Sequence, residues 1–244
     1  MSAGARTAPS RRRVTKAPDV RREELLDIAL ELCRTDGFES MNVEQVTRAA
    51  GVAKGTFYHY FASKDAMLEQ IVQRFGDALF DHLNAATSGH TGTGAERLTA
   101  IMEAAAGYKI AQADVTYASF LYRSENLALR HRLFAIWRER ARQVLQPVIR
   151  GGAEDGSFHV AYVDGATDIV LLLWFDAADR LWERALLAPD PESFVTVMLE
   201  GAAAIYQAQE RILGLPEGTF NLPLTPELID MTRQLFESID RTQS

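Results

Sequence analysis

Apolar positions recur with a helical period along nearly the whole chain, and strict two-residue alternation never runs beyond a few residues, which predicts an all-α fold. In the first segment Leu25, Ile28, Ala29, Leu32 and Cys33 make one stripe, with Asp19 placed to cap the start and Gly37 placed to stop the helix. Asn42 followed by Gln45 predicts a capping box, opening a short helix that turns Val46, Ala49 and Ala50 inward and ends at Gly51. A third helix runs from Lys54 to about His59. Ser63 caps a fourth, whose Leu68, Ile71, Val72, Phe75, Leu79 and Leu83 keep the spacing until TSGHTGTG at 87–94 breaks it.

Downstream, helices are expected over 95–113, 115–122, 124–150, 164–187, 191–213 and 226–240. Turn-rich GGAEDGSF, APDP and GLPEGTFNLPLTP lie between them. Pro147 falls late in the 124–150 pattern, so a kink or an early end is expected there. The most apolar run, IVLLLWF at 169–175, is too short to span a bilayer and is followed at once by Asp176, Asp179 and Arg180. No internal repeat stands out.

Two short helices separated by Gly51-Val52-Ala53 have the length and glycine of a helix-turn-helix, with the second helix as the reader. Phe57 and Phe61 at i and i+4 point together into the core. Lys54, Gly55, Thr56, Tyr58, His59 and Tyr60 are left largely off it. A surface helix chosen for stability would favour Ala, Glu or Lys, because Gly alone costs ~1 kcal/mol relative to Ala. Gly55 removes a side chain where a backbone must come close to something. Thr56 can offer its methyl to thymine or its hydroxyl to a base or phosphate, while Tyr58, His59 and Tyr60 can hydrogen-bond phosphates or stack on sugar and base edges. Lys64, a cation in the first turn of the fourth helix, opposes the helix dipole unless a phosphate lies beside it. Taken singly, each of these residues is equally an ordinary solvated group around two core phenylalanines. The whole constellation favours DNA.

Charge changes the picture again. The 244 residues carry a net −7, which alone argues against nucleic acid. Residues 1–22 hold seven Arg or Lys against one acid, Asp19, and residues 1–74 carry 12 basic and 10 acidic groups, leaving −9 on the remainder. A basic end on an acidic body is expected when only that end meets phosphate. The arm SRRRVTK can lie in a minor groove or along phosphates, or serve only as a solubilising tail. One cysteine, Cys33, rules out an intrachain disulfide framework and is expected to be a buried small hydrophobe rather than a redox switch. His82, His90, His131 and His159 lie at no metal spacing, and no nucleophile elbow, phosphate loop or paired-carboxylate signature appears. No metal, no cofactor and no catalytic residue are therefore expected. With no secretory signal pattern at the start and no membrane-spanning run, a soluble cytoplasmic protein is expected.

The run MNVEQVTRAAGVAKGTFYHYFASKDAML resembles the DNA-binding segment of the tetracycline-repressor (TetR/AcrR) family of bacterial transcriptional regulators, strongly over about residues 20–80. The resemblance implies a basic arm at 1–18, a three-helix helix-turn-helix domain at 19–66 and a larger helical ligand-binding and dimerisation domain at 67–244. It also implies a homodimer whose two reading helices enter successive major grooves of a palindromic operator in double-stranded DNA. Carried over by position, Lys54, Thr56, Tyr58 and His59 match the family's base and phosphate contacts. Tyr60 and Lys64 match its phosphate contacts, Asn42 matches a capping position near the backbone, and Gly55 sits among them. Ala53 departs from the pattern, since many members carry Ser there, and a capping or phosphate hydrogen bond is then missing.

For the body, the resemblance implies that the helices at 164–187 and 191–213 supply a four-helix dimer interface, with Ala177, Leu181, Phe194, Met198, Gly201, Ala202 and Ile205 as candidates. It further implies a small-molecule cavity downstream of residue 95, with Met102, Tyr108, Tyr117, Phe120, Phe134, Trp137 and Trp174 as candidate walls. A stripe of aromatics and Met is more often plain core than a binding box. Glu103, Glu125, Asn126, His131 and Asp168 are polar groups that can orient a ligand, and surface exposure explains them equally well. The expected function is a transcriptional regulator, a repressor released from its operator by a ligand. The alternatives are a ligand-independent or nucleoid-like DNA-binding protein and an enzyme with a helix-turn-helix appended.

Overall fold

The structure, a computed structural model, describes residues 18–89, 91–111, 115–123, 126–220 and 225–243. Residues 1–17 of the arm expected at 1–18, His90 and Glu125 lie outside them, and Pro18 already belongs to the first helix. The described residues are helical with no strand, in line with the all-α expectation. In chain order the helices are α1 (Pro18–Ser40), α2 (Val43–Ala49), α3 (Lys54–Tyr60), α4 (Lys64–Thr87), α5 (Gly94–Ala111) and α6 (Val115–Leu121). There follow α7 (Leu127–Asp155), α8 (Val163–Leu172), a π-helical turn (Leu173–Ala177), α9 (Ala178–Ala185), α10 (Pro191–Leu213) and α11 (Pro226–Gln243).

The first three helices close over the N-terminal half of α4. Leu25, Leu26, Ala29 and Cys33 of α1 are buried with Val46, Phe57, Phe61, Met67 and Leu68. Gly37, with φ of 82°, breaks the helical path near the end of α1, since a left-handed residue cannot continue a right-handed helix. Asp19 lies inside the first turn of α1, one residue after Pro18, rather than at its cap. In α2 the inward pair is Val46 and Thr47, while Ala49 faces solvent. Thr47 tolerates burial because its hydroxyl donates to the Val43 and Glu44 carbonyls.

The body is a stack of long helices. α4, α5 and α7 pack on one another, α8 lies on α7, α10 lies on α9, and α11 covers α10 and α6. α6 also touches α1, and α4 runs unbroken from the helix-turn-helix into the body across position 66. Gly94 and Gly152 bring the start of α5 against the end of α7, because a Cβ on Gly94 would stand 2.2 Å from Gly152 Cα.

Pro147 neither ends nor interrupts its helix: α7 continues to Asp155 and closes on Gly156 in the left-handed conformation. The reason is its position. Pro147 and Gln143 are both exposed, so water can take the carbonyl that loses its partner, while Val148, Ile149 and Gly152 stay buried and hold the last turns. The helix expected at 164–187 runs unbroken from Val163 to Ala185 as α8, the π-helical turn and α9, with right-handed helical backbone at both junctions.

Candidate nucleic-acid interface

The interface is built on two local cap motifs and one apolar pair. Asn42 Oδ1 accepts from Gln45 N at 3.0 Å and Gln45 Oε1 accepts from Asn42 N at 2.8 Å, a complete capping box that sets where α2 begins. Gly51, with φ of 64°, turns the chain out of α2. Val52 N donates back to Thr47 O at 3.0 Å and fixes the angle of the turn. Ala53 precedes α3 with no side-chain cap, so only the backbone Ala53 O···H–N Thr56 contact at 2.9 Å closes the first turn. Ser63 Oγ caps α4 by accepting from Ala66 N at 3.0 Å.

Phe57 and Phe61 anchor the reading helix, with ring centroids 5.4 Å apart and both side chains buried. α3 then has only one way to sit. Lys54, Gly55, Tyr58 and His59 face solvent, as does Asn42 on the neighbouring helix, while Thr56, Tyr60 and Lys64 are half-buried at the edge. Tyr58 is 51% exposed although its ring packs edge-on against Phe57 at 5.3 Å. His59 and Tyr60 stack edge-on at 4.9 Å. Nothing within the chain lies within 4 Å of a Cβ built on Gly55, so no intramolecular contact demands glycine there. The surface offers a cation, two phenols, an imidazole, a hydroxyl and a bare stretch of backbone on one side, which suits phosphates and base edges.

Of the candidate cavity residues, Tyr117, Phe120 and Trp137 are buried, while Met102, Tyr108, Phe134 and Trp174 are half-buried. They fall into groups. Tyr117 and Tyr108 meet Phe75 of α4, with centroids 4.4 and 5.7 Å away. Phe134 packs on Trp137 and on Phe175, each at 5.8 Å. Trp174 reaches Gln209 of α10, and Gln209 reaches Met102. Phe175 and Gln209, which residue type and spacing do not single out as cavity walls, belong to these groups. For Gln209 the one hint is its place four residues after Ile205 on the apolar side of α10.

The polar candidates disperse. Glu103 and His131 are exposed, Asn126 Nδ2 donates to Phe120 O at 2.8 Å, and Asp168 pairs with Arg142. A different charged group is buried: Arg130, whose Nη1 donates to Leu121 O at 3.2 Å and whose Nη2 donates to Glu183 Oε1 at 2.9 Å. Its Nε lies 2.9 Å from Asp179 Oδ1, and its guanidinium sits 4.6 Å from the Tyr122 ring centre. Burial, and then the nearby Asp179, push the Tyr122 phenol well above its usual range. Of the candidate dimer residues, Leu181, Phe194 and Gly201 are buried within the chain, where a Cβ on Gly201 would stand 2.2 Å from Leu181 Cδ1. Ala177, Met198, Ala202 and Ile205 are half-buried.

Among the described residues no helix is long and apolar enough to cross a membrane, and no group of three or more His, Cys, Asp or Glu is placed to hold a metal ion. Residues 25–71 match the family described as bacterial regulatory proteins, tetR family. The HTH-type transcriptional repressor KstR2 of Rhodococcus jostii (strain RHA1) is 41% identical over 66 residues, covering 27% of this chain and 32% of that protein. The nucleoid occlusion factor SlmA of Actinobacillus pleuropneumoniae serotype 5b is 31% identical over 71 residues, 29% of this chain and 35% of its own. These matches span about a third of the relatives' length. In fold, the chain is similar to SmeT, the repressor of the Stenotrophomonas maltophilia multidrug efflux pump SmeDEF, with a TM-score of 0.56 at 17% identity over 84% of this chain and 94% of that one.

Proposed function

Because the chain belongs to the tetR family of bacterial regulatory proteins, we propose that it is a transcriptional repressor that binds a palindromic operator as a homodimer and leaves it when a small molecule enters its body. The observation that carries the reading is the outward face of α3, where Lys54, Gly55, Tyr58 and His59 stand clear of a core held by Phe57 and Phe61. One seven-residue helix reads too few base edges for useful specificity, so two must act together, about one DNA turn (~34 Å) apart. Dimerisation is assigned to the outward sides of α8, α9 and α10, where Ile169 and Leu172 of α8 are exposed apolar groups and Met198, Ala202 and Ile205 of α10 are half-buried. The acidic body repels phosphate and the basic N-terminal region attracts it, which orients the approach. The protein acts in the cytoplasm, by binding rather than catalysis, with no cofactor.

A second reading has one observation in its favour, the 71-residue match to a nucleoid occlusion factor. In it the chain binds DNA without a ligand and its body recruits a protein partner. Incubating the full chain with fragmented DNA from its own source, and sequencing what it retains, separates the two. A few palindromic sites support the repressor. Near-equal retention of unrelated sequences supports the second reading, and a compound that binds tightly yet leaves operator affinity unchanged removes ligand control.

A further inference from the structure

α10 turns one neutral polar side chain into the body. Gln209 is fully buried; its Oε1 accepts from Trp174 Nε1 at 2.6 Å and its Nε2 donates to Met102 Sδ at 3.1 Å. A thioether is a weak acceptor, and a buried amide N–H ordinarily finds an oxygen. Among the described residues no oxygen accepts from Gln209 Nε2. Glu210, its buried neighbour, is taken up by the backbone N–H groups of Gly218 and Phe220 at 3.1 and 2.7 Å.

Two further observations meet at the same place. Trp174 and Phe175 ride on the π-helical turn, and single π turns inside helices occur frequently at functional sites. Met102, Phe134, Trp174, Phe175 and Tyr206 all pack against the core and yet are only half-buried. Large apolar side chains that pack on a core and still meet solvent are the kind of lining a small-molecule site uses.

We propose that the effector is a neutral, mainly aromatic molecule with one carbonyl-type oxygen, and that this oxygen replaces the Met102 thioether as the acceptor for Gln209 Nε2. This rests on the ligand-controlled reading and adds the class of ligand. Trp174 holds the amide so that its N–H is presented, and the flexible Met102 side chain can withdraw without strain on the backbone. The Arg138 guanidinium, 5.8 Å from the Phe175 ring centre, is already paired with Asp176 at 2.7 Å, so a charged effector would have to displace that carboxylate as well as lose its own hydration.

The test uses the full chain without DNA and two probes that share both rings, benzophenone with its carbonyl and diphenylmethane with a methylene in its place. Titration calorimetry is expected to show benzophenone binding about tenfold tighter, the worth of one buried hydrogen bond. Gln209→Met should erase the preference; Met102→Leu, which removes only the resident acceptor, should keep or widen it. Equal affinities in the unmodified chain, a preference that survives Gln209→Met, tighter binding of anionic 4-benzoylbenzoate, or no binding of either neutral probe would each overturn the proposal. Release from the operator by a charged effector would then leave ligand control standing and refute only the neutral class.

Discussion

Gly55→Ala tests the reading helix by setting fold stability and DNA affinity in opposite directions. Within the chain the new methyl meets nothing within 4 Å and points from an exposed position, so folding feels only the backbone preference. Alanine is favoured over glycine by ~1 kcal/mol in a helix interior, and about half of that is expected at the second residue of so short a helix. For a chain of this size, roughly 0.5 kcal/mol raises Tm by about 1–2 °C. On DNA the same methyl stands between the α3 backbone and the groove. If each reading helix loses about 1.4 kcal/mol, two independent losses in a dimer lower operator affinity by roughly a hundredfold. Gly107→Ala is the control, since Gly107 is exposed in α5 and its added Cβ also meets nothing within 4 Å. It should stabilise the chain by about as much or more and leave DNA binding unchanged. Calorimetric melting and fluorescence anisotropy with a labelled operator read the two quantities. Unchanged or tighter operator binding by Gly55→Ala refutes the placement of α3 against DNA.

Three other outcomes are expected. Lys54→Ala should weaken binding to all sequences alike and lower the salt slope by about one per subunit, whereas Tyr58→Ala and His59→Ala should weaken operator binding without unfolding the chain, all measured by anisotropy across salt concentrations. Arg130→Met should cost about 3 kcal/mol at neutral pH, because Asp179 loses its buried partner. Asp179 is already pushed above its usual range by burial, with Arg130 as the main opposing influence, so its loss raises that carboxyl further and the deficit should narrow as pH falls; a small pH-independent deficit in urea denaturation would count against this. Asp155 and Asp190 are held below the ordinary 3.8, Asp155 chiefly by the Ser157 hydroxyl and backbone N–H, Asp190 chiefly by the Ser193 backbone N–H and then its hydroxyl. Their contribution is present above that value and lost as pH falls through the lower folded values, so Asp155→Asn and Asp190→Asn should each flatten the acid limb of stability, read by urea titrations on both sides of it.

What the sequence determined by itself is what neighbouring residues settle between themselves. The Asn42–Gln45 box, the Ser63 cap, the turn at Gly51 and the shared inward direction of Phe57 and Phe61 depend on contacts between residues no more than five apart, so spacing alone reveals them. Local pattern failed where the surroundings outvoted it. Ala49 looks inward by period and faces solvent, while Thr47 goes inside because its hydroxyl finds carbonyls of its own helix. Pro147 should disturb a helix, yet the buried residues beyond it keep α7 intact. The Trp174–Gln209–Met102 chain joins residues 35 and 107 positions apart, and Arg130 meets Glu183 across 53. No local rule ranks such partners. They meet because α5, the π-helical turn and α10, or α7 and α9, are brought side by side by the summed burial of many apolar contacts, and that sum exists only in the folded chain.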